Sequence, residues 1–354
     1  MQKRNETIDI ARGIAIILMC IGHAYCPNML YKFIYMFHMA FFFITSGYFF
    51  NKEKSITQPW IFIKKRIKSL YLPFIKWGIA FTLLHNIFLN LKLLTPENHY
   101  YGIKETLWKA FTTNTRFIPT EEFMGPYWFF SCLFYVSIFS LFLFIISSKL
   151  LKKRWTEWLL FTVMYAVGFI LLYIGKGNDY SIIIRTCVIS FIFYLGFLWG
   201  KNNNKIVYNW IGLTISIVIL IVGLLSPYNE ISIPDLSFQN PIFFLIYSLS
   251  GTYMLLCISK YITRSTPYFN KILAYIGSKT LIILLTNILC LRVGHVIRTY
   301  IEGYDGYPTT ITQSETAWYW WILYTIFMVV VPLGIDWGIK RLKLIIKNIP
   351  AKVH

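Results

Sequence analysis

Charge is what this 354-residue chain has least of, and acidic charge least of all. Asp, Glu, Lys and Arg make up 14% of it, against about 25% in ordinary soluble domains, and only 15 residues are acidic. That excludes an ordinary soluble domain. Cysteine is sparse and scattered, at Cys20, Cys26, Cys132, Cys187, Cys257 and Cys290. No two have the spacing of a metal-binding pair and most sit in apolar runs. They read as buried reduced thiols, and no metal is expected. The chain has no internal repeat and no disordered linker, so a single domain over residues 1–354 is the simplest partition. The two-residue alternation of a membrane β-barrel is missing. No small-residue cleavage pattern follows the first apolar run, so that run is a span and not a cleaved signal.

What the chain has in abundance is apolar length. It is 56% hydrophobic and 19% aromatic. Ten runs approach the roughly 20 residues that cross a bilayer. They fall at about 8–25, 31–50, 70–91, 126–147, 156–174, 181–200, 208–226, 240–260, 278–297 and 317–338. The expectation is an all-α integral membrane protein, a single bundle of about ten transmembrane helices. Basic clusters at Lys52–Lys54, Lys64–Lys68, Lys149–Lys153, Lys260–Lys279 and Lys340–Lys343 fall on one side of that count. Glu230, Asp235 and Glu302 fall on the other. Positive-inside topology then puts the N- and C-termini in the cytoplasm of a multi-pass inner or plasma membrane protein. The net charge of +19 fits this topology and a lipid bilayer with anionic headgroups. Nucleic acid is not an expected partner, because no soluble basic domain exists to bind it.

Two segments depart from plain spans. The stretch "KSITQPWIFIKKRIKSLYLPF" mixes Trp and Ile with a basic cluster. It predicts an interfacial amphipathic helix over about 56–69, leading into the third span. The largest outer loop, about 92–125, is polar and either holds a binding site or joins two helices.

The first span, "IDIARGIAIILMCIGHAY", carries ionisable groups where each is costly. Arg12 and His23 are eleven residues apart, which places them about 20° apart around a helix and about 16 Å apart along it. They share one face at different depths. Asp9, one turn before Arg12, is a plausible ion partner. Taken singly, Arg12 also fits an arginine snorkelling to headgroups, and His23 an interfacial histidine. In the second span, "FIYMFHMAFFFITSGYFF", His38 lies at a depth similar to His23 across a short hairpin. The two histidines can form a hydrogen-bonded pair, and His38 equally fits a satisfied polar residue. Ser46 and Gly47 permit close helix approach.

These residues resemble the membrane-bound acyltransferase-3 family, in particular its fucose 4-O-acetylase-like branch. That family has about ten spans and a first helix with Arg, ten residues, then His, as in "ARGIAIILMCIGH". "FHMAFFFITSGYFF" is similar to its second-span signature, with Ala40 where proline is common. "KKRIKSLYLPF" resembles its basic approach to the third span. There Arg66 is followed by Ser69, not by a second arginine, so Lys65 and Lys68 must serve. "GPYWFFSCLF" matches a Trp-Phe-Leu motif at Trp128 and Phe129. "YIGSKTLIILLTNIL" resembles the ninth-span motif, with Asn287 where histidine is frequent.

The resemblance implies an acyl-CoA-dependent O-acetyltransferase. Acetyl-CoA would be the acyl donor, from the cytoplasm, and a hydroxyl of a cell-surface or secreted carbohydrate the acceptor. Lys64, Lys65, Arg66 and Lys68 would meet the CoA phosphates through charge-assisted bonds, or else anionic headgroups. Arg12 would hold the pantetheine arm or a phosphate. His23 would be the base. Asp9, His38, Ser46, Trp128 and Asn287 would complete the substrate side. An acyl-enzyme on Cys20 or a serine is the less favoured route. Trp318, Trp320 and Trp321 are belt aromatics or sugar platforms. Arg292, His295 and Arg298 meet an anionic glycan or sit at the interface. Three rival functions stand beside this one. They are a transporter or flippase, which would show paired broken helices, a non-catalytic membrane subunit of polysaccharide export, and an acyltransferase using another acyl group, such as succinyl.

Overall fold

A computed structural model describes residues 5–153, 155–175, 180–265, 267–303, 307–310 and 319–347. Trp318 and the start of the tenth expected span lie outside them. The described chain is helical, with one isolated β-bridge between Ser232 and Ser237. Eight helical segments are long and apolar enough to cross a bilayer. Two more of the expected spans are helices of a different kind. The first, α1 (Glu6–His23), carries Glu6, Asp9 and Arg12 in 18 residues. The seventh, Trp210–Leu225, has only 16.

Local chemistry sets the ends of α1. The Asn5 side chain accepts from the Ile8 N–H at 3.3 Å, and Glu6 and Asp9 sit in the first turn, where acidic groups favour the helix dipole. The helix stops at His23, and Tyr25 takes a left-handed φ of 61° just before Pro27. The second span is broken into α2 (Asn28–Tyr35) and α3 (His38–Tyr48). His38 Nδ1–H donates to the Ile34 carbonyl at 2.8 Å across the break, so the side chain satisfies a carbonyl at the end of α2.

The basic segment differs in shape from the expectation. It forms α4 (Lys52–Thr57), then α5 (Pro59–Arg66), which runs on through a π-helical turn at Ile67–Tyr71 into α6 (Leu72–Asn90). The amphipathic helix and the third span are thus one rod of 32 residues, Pro59–Asn90. Pro73 does not break it, because proline is harmless where its missing N–H faces a widened turn. The outer loop contains α7 (Ile103–Trp108) and a short 3-10 stretch, Glu122–Tyr127. The bundle continues with α8 (Trp128–Ile145), α9 (Trp155–Tyr173), α10 (Ser181–Lys201), α11 (Trp210–Leu225) and α12 (Pro241–Ser265). It ends with α13 (Pro267–Ser278), α14 (Thr280–Glu302) and α15 (Trp320–Lys347).

Glycine sets the closest helix crossings. On α3 and α10, a Cβ at Gly47 would overlap the Phe193 carbonyl oxygen, and one at Gly196 the Ile44 carbonyl oxygen. On α1 and α13, Gly13 lies against the Leu273 carbonyl and Gly277 against the Asp9 carbonyl. Without water or a hydrophobic drive between helices, backbone-to-backbone packing of small residues carries such contacts. Gly334 has open space where its Cβ would be. Gly47→Leu is therefore expected to destabilise the bundle by about 1–3 kcal/mol or more. Gly334→Leu should leave it unchanged. Thermal unfolding of the detergent-solubilised protein, followed by tryptophan fluorescence, measures both.

Candidate active site

Two cavities enter the bundle from opposite ends. The first, about 560 Å³, opens at the end where the basic residues gather. Its wall takes Arg12 and Met19 from α1, Ser46 from α3, Lys65 and Arg66 from α5, and Thr280 from α14. Arg12 Nη1 lies 3.9 Å from Asp9 Oδ1, and its Nη2 donates to Thr280 Oγ1 at 3.1 Å. Arg66 Nη2 donates to Ser46 Oγ at 3.1 Å, and its guanidinium lies 5.0 Å from the centre of the Phe62 ring. Ser46, expected to help two helices approach, instead holds an arginine. Lys64 and Lys68 are exposed and do not line this cavity. Lys54, Gln58 and Thr280 do line it. They escape sequence reasoning because polar residues beside a basic run look like ordinary interfacial surface.

The second cavity, about 620 Å³, opens at the acidic end. His23, Tyr35 and Trp128 line it, with Glu122 from the outer loop, Asp235 from the 226–240 loop and Arg292 from α14. The outer loop is fastened beside it. His85 Nδ1 and Glu121 Oε2 are 2.7 Å apart, both buried, and the His85 ring stacks on Tyr101 with centroids 3.6 Å apart. Glu122 accepts from the Thr95 N–H at 3.1 Å and from Asn98 Nδ2 at 2.5 Å. Outside the spans, the bond from Lys109 holds the Glu105 carboxyl below its usual value. Residues 92–125 are thus a bonded cover and not a plain connector.

The cavities approach one another along α1, α8 and α14. Met19 faces the basic cavity and His23 the acidic one, as do Leu284 and Ile288, and Phe129 and Trp128. Four residues of helix amount to about 6 Å, so the partition is one turn thick. Asn287 sits within it, fully buried. Its Nδ2 donates to Met19 Sδ at 3.2 Å, and its Oδ1 has no hydrogen-bond partner. Asn287 is on neither cavity wall, and nor are Asp9 and His38. His38 is buried with its Nδ1–H committed to the Ile34 carbonyl. The arginines of α14 are engaged by carboxylates. Arg298 Nε is 2.6 Å from Glu302, and Arg292 Nη2 is 3.6 Å from Glu122. Trp320 is 4% exposed and bonded to Glu302, so it is no sugar platform. Cys20 is buried within the bundle and lines neither cavity.

Fold and site together define a multi-pass helical membrane protein with two cavities separated by one thin partition. The chain belongs to the acyltransferase-3 family, whose acyltransferase domain matches residues 5–337. It is also similar to nodulation protein NolL of Mesorhizobium japonicum, at 30% identity over 141 residues. That match covers 36% of this chain and 32% of the relative, so it spans about a third of that protein's length. No solved structure matches. This is a membrane acyltransferase fold, and the family match and the helical bundle agree on it.

The two-ended arrangement is open to direct test. Gln58 and Asn28 are exposed and line different cavities, while all six native cysteines are buried. In sealed membrane vesicles, Gln58→Cys and Asn28→Cys are expected to react with a membrane-impermeant maleimide from opposite faces. Labelling of both from the same face would refute the arrangement.

Proposed function

We propose that the protein transfers an acetyl group from cytoplasmic acetyl-CoA to a hydroxyl of a cell-surface or secreted carbohydrate, across the inner or plasma membrane, with both termini in the cytoplasm. The observation that carries this reading is that one helix, α1, presents Arg12 to a basic cavity and His23 to the opposite one. The basic wall has Arg12, Lys54, Lys65 and Arg66 and no carboxylate. Such a wall suits a ligand with several phosphate charges, and arginine matches phosphate through paired donors. The apolar remainder, including Phe42 and Phe62, suits the less polar arm that carries the thioester. The family's fucose 4-O-acetylase-like branch, which the first two motifs resemble, supports a sugar hydroxyl as acceptor.

In the proposed step the thioester reaches the partition from the basic side and the acceptor hydroxyl lies beside His23. The hydroxyl oxygen attacks the thioester carbonyl while the neutral imidazole takes its proton. The C–S bond then breaks, an ester forms, and the CoA thiolate leaves with a proton from the imidazolium. Base catalysis of this kind is worth about 10²- to 10⁴-fold.

The experiment uses purified protein, labelled acetyl-CoA and a panel of glycans. His23→Ala is expected to lower transfer by about 10²- to 10⁴-fold while retaining CoA binding. Arg66→Met is expected to weaken CoA binding by about tenfold or more, the worth of a charge-assisted bond. Transfer that survives His23→Ala removes His23 as the base. Absence of both CoA binding and transfer removes the reading.

A further inference from the structure

The two cavities carry opposite charge. Arg12, Lys54, Lys65 and Arg66 line the basic cavity with no carboxylate on its wall, and Asp9, off that wall, lies 3.9 Å from Arg12. At the acidic end, Glu122 and Asp235 face the single cation Arg292. That cation is already held by Glu122 at 3.6 Å. Glu122 is seated by the Thr95 N–H and Asn98 Nδ2, so an incoming carboxylate would have to displace a fixed group to reach the arginine.

Asp235 has no ion-pair partner among the described residues, and its position is fixed. The loop carrying it is anchored by buried Ile231, Ile233, Leu236 and Phe238. Asp235 accepts from Ser232, and Lys32 Nζ holds Glu230 in the same loop at 2.9 Å. The wall also carries Tyr25, Tyr31, Tyr35 and Ser232. Tyr31 and Tyr35 stack with centroids 4.0 Å apart, and Trp128 completes the aromatic surface. Aromatic faces pack on the C–H faces of a pyranose, and carboxylates accept from its hydroxyls.

We infer, resting on the acyl-transfer reading above, that the acceptor is an uncharged sugar, and that Asp235 together with the Glu122-held Arg292 turns away sugars that carry a carboxylate. Asp235 acts as a specificity determinant through its charge. Two like charges about 5 Å apart in a partly screened setting give roughly tenfold discrimination.

The test is matched acceptors with labelled acetyl-CoA and the full-length protein: methyl glucoside against methyl glucuronide, and methyl galactoside against methyl galacturonide. In the wild type, kcat/KM for the neutral member of a pair is expected to exceed that for its uronate by about tenfold or more. Asp235→Asn should narrow that ratio at least about threefold, and raising salt should narrow it in the wild type without any substitution. Equal use of both members, a preference for the uronate, or a ratio unmoved by both Asp235→Asn and salt overturns the inference and leaves acyl transfer standing. Transfer to no acceptor, together with no CoA binding, removes the acyl-transfer reading and this inference with it.

Discussion

Within a bilayer a charged side chain has only the partners its own fold supplies, and the arrangement around Arg12 is this chain's answer to that constraint. Asp9 balances its charge one turn away, and Thr280 on a distant part of the chain accepts from it. Neither partner alone would place the guanidinium. Asp9 lies on the same helix, and Thr280 comes within reach only because α13 packs flush on α1. That contact rests on two glycines, Gly13 against Leu273 and Gly277 against Asp9. Three residues after Gly277 the chain turns into α14 and delivers Thr280. A side chain at Gly277 would push α13 away from the Asp9 backbone and take Thr280 with it. Packing and electrostatics are one problem here, and "YIGSKT" solves both.

The same placement of α14 builds the rest of the passage. Once its first turn is held at Arg12, Leu284, Asn287 and Ile288 follow at fixed heights along α1. The first faces the basic cavity, the second fills the partition and the third faces the acidic cavity. The depth difference between Arg12 and His23, about 16 Å, is then matched by a parallel series on α14. The two cavities are thereby separated by a single helical turn. The outer loop and the 226–240 loop add Glu122 and Asp235 to the acidic cavity, beside His23 and Arg292 from the bundle.

Long apolar runs survive in any reading of the chain, which is why hydropathy found the spans: eight helical segments qualify, and the first and seventh expected spans are a more charged and a shorter helix. What hid from that reading has physical causes. The 12 residues of α13 are too short to span, and they expose Tyr268, Phe269 and Ile272 while burying Leu273 and Ile276. A half-buried helix between two basic ends looks like a loop to a span search. The break at Met36 and Phe37 was invisible because no glycine or proline marks it; a histidine side chain bonding a backbone carbonyl repairs it instead. In the candidate site, Arg12, Lys65 and Arg66 were legible as one group and do line one cavity, where Ser46, read from the sequence as a substrate-side residue, joins them. Lys64 and Lys68 belong to the same basic run but turn outward, because a helix sends neighbouring residues to different faces. Glu122, Asp235 and Arg292 were visible as charges but not as a site, since three distant segments converge there.

Asn287 brings these points together. At a position where the family often has a histidine, an asparagine cannot exchange a proton near neutral pH. It can still donate and accept, and here it donates to Met19 and leaves Oδ1 bare inside the partition. A buried carbonyl oxygen without a partner is costly, so its retention needs a reason in what occupies the partition. An acyl donor crossing that turn would bring its amide and thioester groups past Oδ1, and an amide N–H is the donor that oxygen lacks. Under the acetyl transfer proposed above, the proton falls to His23, which lines the acidic cavity, while Asn287 Oδ1 offers a donor's amide N–H an acceptor inside the partition. Those two tasks lie on opposite sides of one helical turn.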